Sequence, residues 1–422
     1  MRSVWLLALA TFGCRSLLGI EEPITGTDAA VDAASCTGWH PMGFDPCSFA
    51  PVTLPLLGPG AYVYDTTLDG GTLFDSNRRV IVASKLTLTQ PDQSVVAVLS
   101  VDALAIAPGV TVSVIGRKPL LVVAASTITI DGVLDAGSSI GVTDVARHTA
   151  QTIKFGAGAN EACAINVGGD GANAVAGAGS TGGGGGGLQG TGGAGARGAG
   201  APLGGGAGGV SVPALVLRAG CPGGASGTAG ATATPPAAQS SQALGGAGGG
   251  AIRLVARDAI TVAGSVSANG AGGAGAPQRS ACGGGGGGSG GYVGLEAPTV
   301  AIGATGIVTA NGGGGGGGGG GTDAGNEGSD GKIDLQVAPG GAASASGCGQ
   351  AGGAGSLATQ LSGETAVLAG GCVAGGGGGG GAAGYVVIAS HGFAAEATAK
   401  ISPPPLSADG VAFVSRVGSP AD

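Results

Sequence analysis

The sequence predicts an all-β chain, a parallel β-helix or related β-solenoid with long glycine-rich loops. Three observations predict it. Short apolar segments alternate with a two-residue period, as at residues 252–254, where Ile252 and Leu254 point to one side and Arg253 to the other. Nearly the same text recurs after about forty residues, the spacing of units that bury an apolar face only by stacking on a neighbour: GGGAIRLVARDAITVAGSVSANG at 248–270 is followed by GGYVGLEAPTVAIGATGIVTANG at 290–312. The chain's 98 glycines gather in long runs beside these copies.

Composition narrows the function classes. Among the 422 residues only 10% are charged, against about 25% in an ordinary globular chain. Net charge is -8 and the basic residues are scattered, so neither nucleic acid nor an anionic membrane surface is an expected electrostatic partner. Aromatic residues make up 3%, which points to a narrow core of Val, Ile, Leu and Ala.

The first element is a signal peptide at residues 1–13. Arg2 opens it, and the apolar run 4–12 is too short to span a bilayer. Gly13 directly before Cys14, at the end of that run, resembles a bacterial lipoprotein signal, although Thr11 stands where that family usually has a larger aliphatic residue. The resemblance implies lipidation of Cys14; ordinary secretory cleavage is the alternative. The following CRSLLGIEEP resembles the start of predicted outer-surface lipoproteins of myxobacteria and their relatives. Arg15 in place of Asp then implies delivery to the outer membrane.

Residues 14–50 form a tether and a small cysteine loop. Pro, Gly, Ala and acidic residues without apolar periodicity suit a stalk. In CTGWHPMGFDPC, Cys36 and Cys47 are close enough to close a disulfide, as export predicts, whereas His40 and Asp45 lack the paired spacing of a zinc site. Cys163, Cys221, Cys282, Cys348 and Cys372 complete an odd set once Cys14 is set aside, so one thiol is expected outside the bridges.

Residues 51–405 carry the repeats, with 406–422 as a tail or cap. RRVIVASKLTLTQ and VVAVLSVDALAIAPGVTVSVIG alternate apolar with small polar residues, and PLLVVAASTITIDGVLDAG has the full order of strand, strand, strand, corner. Ile260 and Val262 around Thr261 match Val300 and Ile302 around Ala301, while Val266 and Ile307 open the corner segments. Asn269 and Gly270 favour the left-handed backbone of a sharp corner. By the same pattern KIDLQVA, with Ile333 and Leu335 inward, and YVVIAS from Tyr385 read as further copies.

The glycine runs 182–187, 283–288, 312–321 and 375–381 read first as flexible links, since glycine in a strand wastes packing and backbone entropy. The competing expectation is ordered packing of polyproline-II-like segments beside the stack. Collagen is excluded by the lack of a G-X-Y repeat. Over residues 62–403 the chain resembles glycine-rich parallel β-helix proteins of bacterial surfaces.

Few residues suggest chemistry. Arg253, Glu296 and Asp334 would form an outward mixed-charge strip on successive units, a candidate sugar-binding or polysaccharide-cleaving face. His40, His148 and His391 are far apart, no GxSxG supplies a nucleophile, and no glycine run ends in the Lys plus Ser/Thr of a phosphate loop. Asp170 and Asp323 lie in acidic loops that suggest calcium, the one cofactor candidate, without the spacing of an EF-hand. The expectation is a non-catalytic structural or adhesive module at the cell outer membrane or surface, its lipid anchor in the bilayer and extracellular polysaccharide or surface proteins as partners. A carbohydrate-active β-helix, a disordered glycine-rich matrix protein and a secreted form are the alternatives.

Overall fold

The computed structural model describes residues 39, 41, 43–142, 151–175, 178–213, 216–228, 242–278, 281–320, 323–344, 348–367 and 374–407. Three sheets of mostly parallel strands carry the apolar repeats. In hydrogen-bonded order the first, 7-stranded sheet contains Thr87–Thr89, Val95–Val101, Leu120–Ala124, Ala251–Ala256, Tyr292–Glu296, Tyr385–Ala389 and Leu406–Ser407. The second, 5-stranded sheet contains Leu104–Ile106, Thr127–Ile130, Ala259–Val262, Thr299–Ile302 and Gly392–Ala395. The third, 8-stranded sheet runs through Val80–Ser84, Gly71–Phe74, Gly60–Asp65, Val110–Ile115, Val133–Asp135, Ser265–Ser267, Ile307–Thr309 and Lys400–Ser402. From Val95 onward the chain visits first, second and third sheet in turn and then repeats the order.

Register follows the alternation in the sequence. Leu120, Ile252, Val293 and Val386 stand in line across the first sheet, as do Ile128, Ile260, Val300 and Phe393 across the second and Leu134, Val266, Val308 and Ile401 across the third. All of these columns meet in one aliphatic core, in which Ile252, Leu254, Ile260 and Val262 are wholly buried. Each such side chain contributes about 1.5–3 kcal/mol relative to exposure. One detail of the sequence expectation changes: Val266 pairs with Val308, and Ile307 is only partly buried because its side chain leaves the core face.

Antiparallel strands shield the start of the stack. Val63 pairs with Phe74 and Leu88 with Val96, so the first and third sheets begin with chain that turns back on itself. The turning leaves the short strands Val80–Ser84 and Thr87–Thr89 as the edges of these sheets at this end. Buried Tyr64 fastens this end by donating its hydroxyl to Gly70 O at 2.7 Å.

The glycine runs are ordered, which corrects the expectation of flexible links and, for the described tracts, of a disordered matrix. Residues 182–187 show the pattern. Gly183 and Gly186 donate to Gly284 and Gly287, Gly184 and Gly187 to Gly169 and Asn166, and Gly182 and Gly185 to Ala196 and Gly193, at 2.8–3.0 Å. The partner segment repeats every third residue, matching the threefold turn of a polyproline-II helix. Gly206, Gly209, Gly224, Gly379 and Ala382 donate back to the same run. Every residue of 182–187, 283–288 and 375–381 is buried.

This arrangement requires glycine for steric reasons. A Cβ on Gly316 would lie 1.8 Å from Ala274 O, one on Gly378 2.0 Å from Gly285 O, and one on Gly185 1.9 Å from Gly380 O. All three obstacles are backbone, which has no rotamer to change. The entropy lost by ordering glycine is offset by burying backbone with its hydrogen bonds made.

A further expectation fails at KIDLQVA. Residues 332–337 form no strand, and Ile333 and Leu335 are 55% and 46% exposed. Val386 and Ile388 of YVVIAS take the next inward places after Val293 and Leu295. The intervening chain builds the glycine array, so the spacing between units is elastic. The expected left-handed corner at Asn269 and Gly270 is also absent, since neither has positive φ. Instead Asn269 Oδ1 accepts from Asn311 N at 2.8 Å, and Gly270 enters the array by donating to Asn311 O.

Candidate functional site

The candidate mixed-charge strip lies on the outer face of the first sheet. Arg253 is opposite Gly294 in the adjacent strand, and Glu296 is opposite Val255. The missing side chain at Gly294 matters: a Cβ there would stand 3.1 Å from Arg253 Cγ and 2.9 Å from Tyr292 Cε1. Arg253 therefore crosses diagonally and binds Glu296 through its guanidinium. Asp334 does not join them, because it lies in the exposed excursion 332–337, where its carboxylate accepts from Gln336 N at 2.8 Å.

That face is covered. Phe44 of the cysteine loop places its ring 5.8 Å from the Arg253 guanidinium carbon, close enough for a cation–π contact. Side-chain exposure of Arg253 and Glu296 falls to 18% and 14%. Around the pair, Val96, Val98, Leu121, Val123 and Val255 form a second apolar cluster with Leu188 and Leu217 from the array and with Trp39 and Phe49. Burial pushes the Tyr292 hydroxyl up to about 12. Tyr385, whose hydroxyl is likewise raised by burial, donates to Val212 O at 2.5 Å and ties this face to the array. The arrangement is a packed seam between sheet and glycine array, with the ion pair closing it beneath an aromatic ring.

The cysteines add covalent ties. Cys163 and Cys221 form a disulfide, with Cα atoms 5.6 Å apart, between two segments that feed the array. Cys47 and Cys348 each take part in a disulfide as well, and Cys282 is buried. Cys14, Cys36 and Cys372 lie outside the described residues, as do His40 and His148. His391 is exposed at a bend.

The acidic loops use their carboxylates on backbone. Asp170 Oδ1 accepts from Ala225 N at 2.8 Å. Asp330, in the same loop as Asp323, is partly buried and accepts from Gly272 N at 2.8 Å and Ile140 N at 3.1 Å. Burial raises its carboxyl pKa, while those two N–H groups and the nearby Lys332 and Lys154 pull the other way. Nearby, Asp135 joins Lys154 at 2.5 Å and accepts from Ser267 Oγ at 2.7 Å. Sequence reasoning missed this polar seam, since Asp135, Lys154 and Asp330 come from distant stretches with no motif between them. Among the described residues, no cluster of His, Cys, Asp and Glu is arranged to hold a metal, and no helix is long and apolar enough to cross a membrane.

No family model, curated protein or solved structure matches the chain.

Proposed function

We propose that the chain is a β-solenoid whose coils are interrupted by, and buttressed with, a polyglycine bundle, and that it serves as a non-catalytic structural or adhesive module at the bacterial surface. The single observation that carries this is the use of the long inter-strand excursions. Where a carbohydrate-active site would place exposed, converging side chains, residues 182–187, 283–288 and 312–318 bury backbone against backbone. The candidate sugar-binding strip is occupied by Phe44 and an internal ion pair. These features favour a rigid scaffold whose exposed loops meet partners such as surface polysaccharide or protein.

Export and lipidation at Cys14 belong to the same proposal. The Cys163–Cys221 disulfide supports an oxidising destination. The test is fractionation of cells making the full chain and its Cys14→Ser variant. The lipoprotein reading expects the variant to leave the membrane fraction while keeping its protease-resistant body; equal membrane retention of both forms overturns it.

A further inference from the structure

We propose that Asp135 and Lys154 condense into a side-chain amide, an internal crosslink that fastens the two-stranded sheet of Ser139–Val142 and Gln151–Lys154 to the third sheet of the stack. The two residues end strands of different sheets: Asp135 closes Val133–Asp135, and Lys154, opposite Ser139, closes Gln151–Lys154. Lys154 Nζ stands 2.5 Å from Asp135 Oδ2, and the two side chains are only 28% and 30% exposed. Reactants held together in this way meet as parts of one molecule, without the entropy cost of an encounter.

Hydrogen bonds give the two oxygens of Asp135 different roles. Oδ1 accepts from Ser267 Oγ at 2.7 Å and from Gly137 N at 2.8 Å. Those donors are placed where negative charge develops when an amine attacks the carboxyl carbon, and they suit the amide oxygen that results. Oδ2, on the side of the amine, is the oxygen that leaves. Asp330 supplies the base. It is tied to the same two-stranded sheet by accepting from Ile140 N at 3.1 Å, it lies within electrostatic reach of Lys154, and burial raises its carboxyl pKa. Its carboxylate takes a proton from the Lys154 ammonium, which frees the amine to attack, and returns that proton to the departing oxygen. The step balances: the Nζ–Cγ bond forms, the Cγ–Oδ2 bond breaks, two protons of the ammonium leave with Oδ2 as water, and nothing is oxidised or reduced. Like a disulfide, the product restrains the unfolded chain by closing a loop, here between residues 19 apart in sequence.

Peptide mapping of the purified full chain tests this, because trypsin does not cut after an acylated lysine. After reduction and digestion, peptide 148–154 is expected to be absent, and segment 148–197 to appear joined to 118–147 in a branched species one water lighter than its two parts. Asp135→Ala and Lys154→Arg are each expected to abolish that species. Asp330→Asn, which keeps a carbonyl acceptor for Ile140, is expected to leave most of 148–154 free, and Asp330→Glu to restore the crosslink. Recovery of free 148–154 from the parent chain in the yield of neighbouring peptides would overturn the proposal. So would a water loss confined to 118–147, the mark of a succinimide at Asp131 and Gly132. A fully formed amide in Asp330→Asn would overturn the role given to Asp330 and leave the crosslink standing.

Discussion

The two halves of this molecule bury backbone in different ways. In the sheets, backbone pairs edge to edge, and Ile252, Ile260, Val300 and Val308 fill the interior between them. In the glycine array, no side chain separates the segments, and each residue's N–H finds a different neighbour in a three-residue rotation. The difference teaches that an interior can be made dense either by interlocking side chains or by removing them. Side-chain interiors accept substitutions of similar volume. Backbone interiors do not, because the atoms in the way belong to the main chain.

Substitutions separate these two kinds of interior, and the largest effect is expected in the sheets. Ile252→Asp deletes a wholly buried aliphatic group and strands a charge in the core, so a loss above roughly 4–5 kcal/mol is expected in chemical denaturation. A cost under 1 kcal/mol would mean that the core face has been assigned to the wrong side.

Next comes the array, where Gly316→Ala adds one carbon at a point 1.8 Å from Ala274 O. The expected cost is about 3 kcal/mol, the upper end of ordinary overpacking, read as a lowered melting temperature. The matching control is Gly204→Ala, where a Cβ would meet nothing within 4 Å. That variant is expected to stay within about 0.5 kcal/mol of the parent. Equal melting temperatures for the two variants would make the glycine tracts spacers after all.

Side-chain truncation should be milder where the sheets can adjust. Ile260→Val is expected to cost about 0.5–1.5 kcal/mol, less than a single added methyl in the array. Thr261→Ala, on the exposed face of the same strand, should change stability by no more than about 0.5 kcal/mol. The reverse order would exchange the two faces of the Ala259–Val262 strand.

The smallest expected effect is a pH dependence at the seam where Asp330 joins the array to the Ser139–Val142 strand. Burial raises the folded-state pKa of this carboxyl above its unfolded value. The folded state therefore binds the proton more tightly, and its contribution to stability is fullest at pH below the unfolded value. That contribution declines as pH rises through the folded value. Relative to Asp330→Asn, which keeps a carbonyl acceptor for Gly272 and Ile140, the parent should lose stability on going from acid to neutral pH. A parent that gains stability over that interval relative to the variant would contradict the assignment.

The sheets were legible in the sequence because strands announce themselves locally. Ile252, Arg253 and Leu254 alternate within three residues, and the register among residues 120, 252, 293 and 386 follows from it. KIDLQVA misled because alternation shows that one face is apolar but cannot show whether a neighbour covers it; here Ile333 and Leu335 face outward. Poly-Gly was ambiguous for a different reason. A strand's partner is suggested by matching side chains, whereas Gly183 and Gly284 carry none, so nothing local indicates that their backbones meet. The strip at Arg253 and Glu296 was placed correctly on adjacent strands, but its cover, Phe44, comes from a cysteine loop far away in sequence.

The central claim, that the glycine tracts are a hydrogen-bonded interior and not a linker, is tested most directly by amide hydrogen exchange across residues 313–318. These amides donate to Gly288, Ser329, Gly353, Gly285, Asn326 and Gln350. They are expected to open only with global unfolding, at protection comparable to the Tyr292–Glu296 strand. Exchange at the rate of a free glycine peptide, with that strand still protected, would contradict the account.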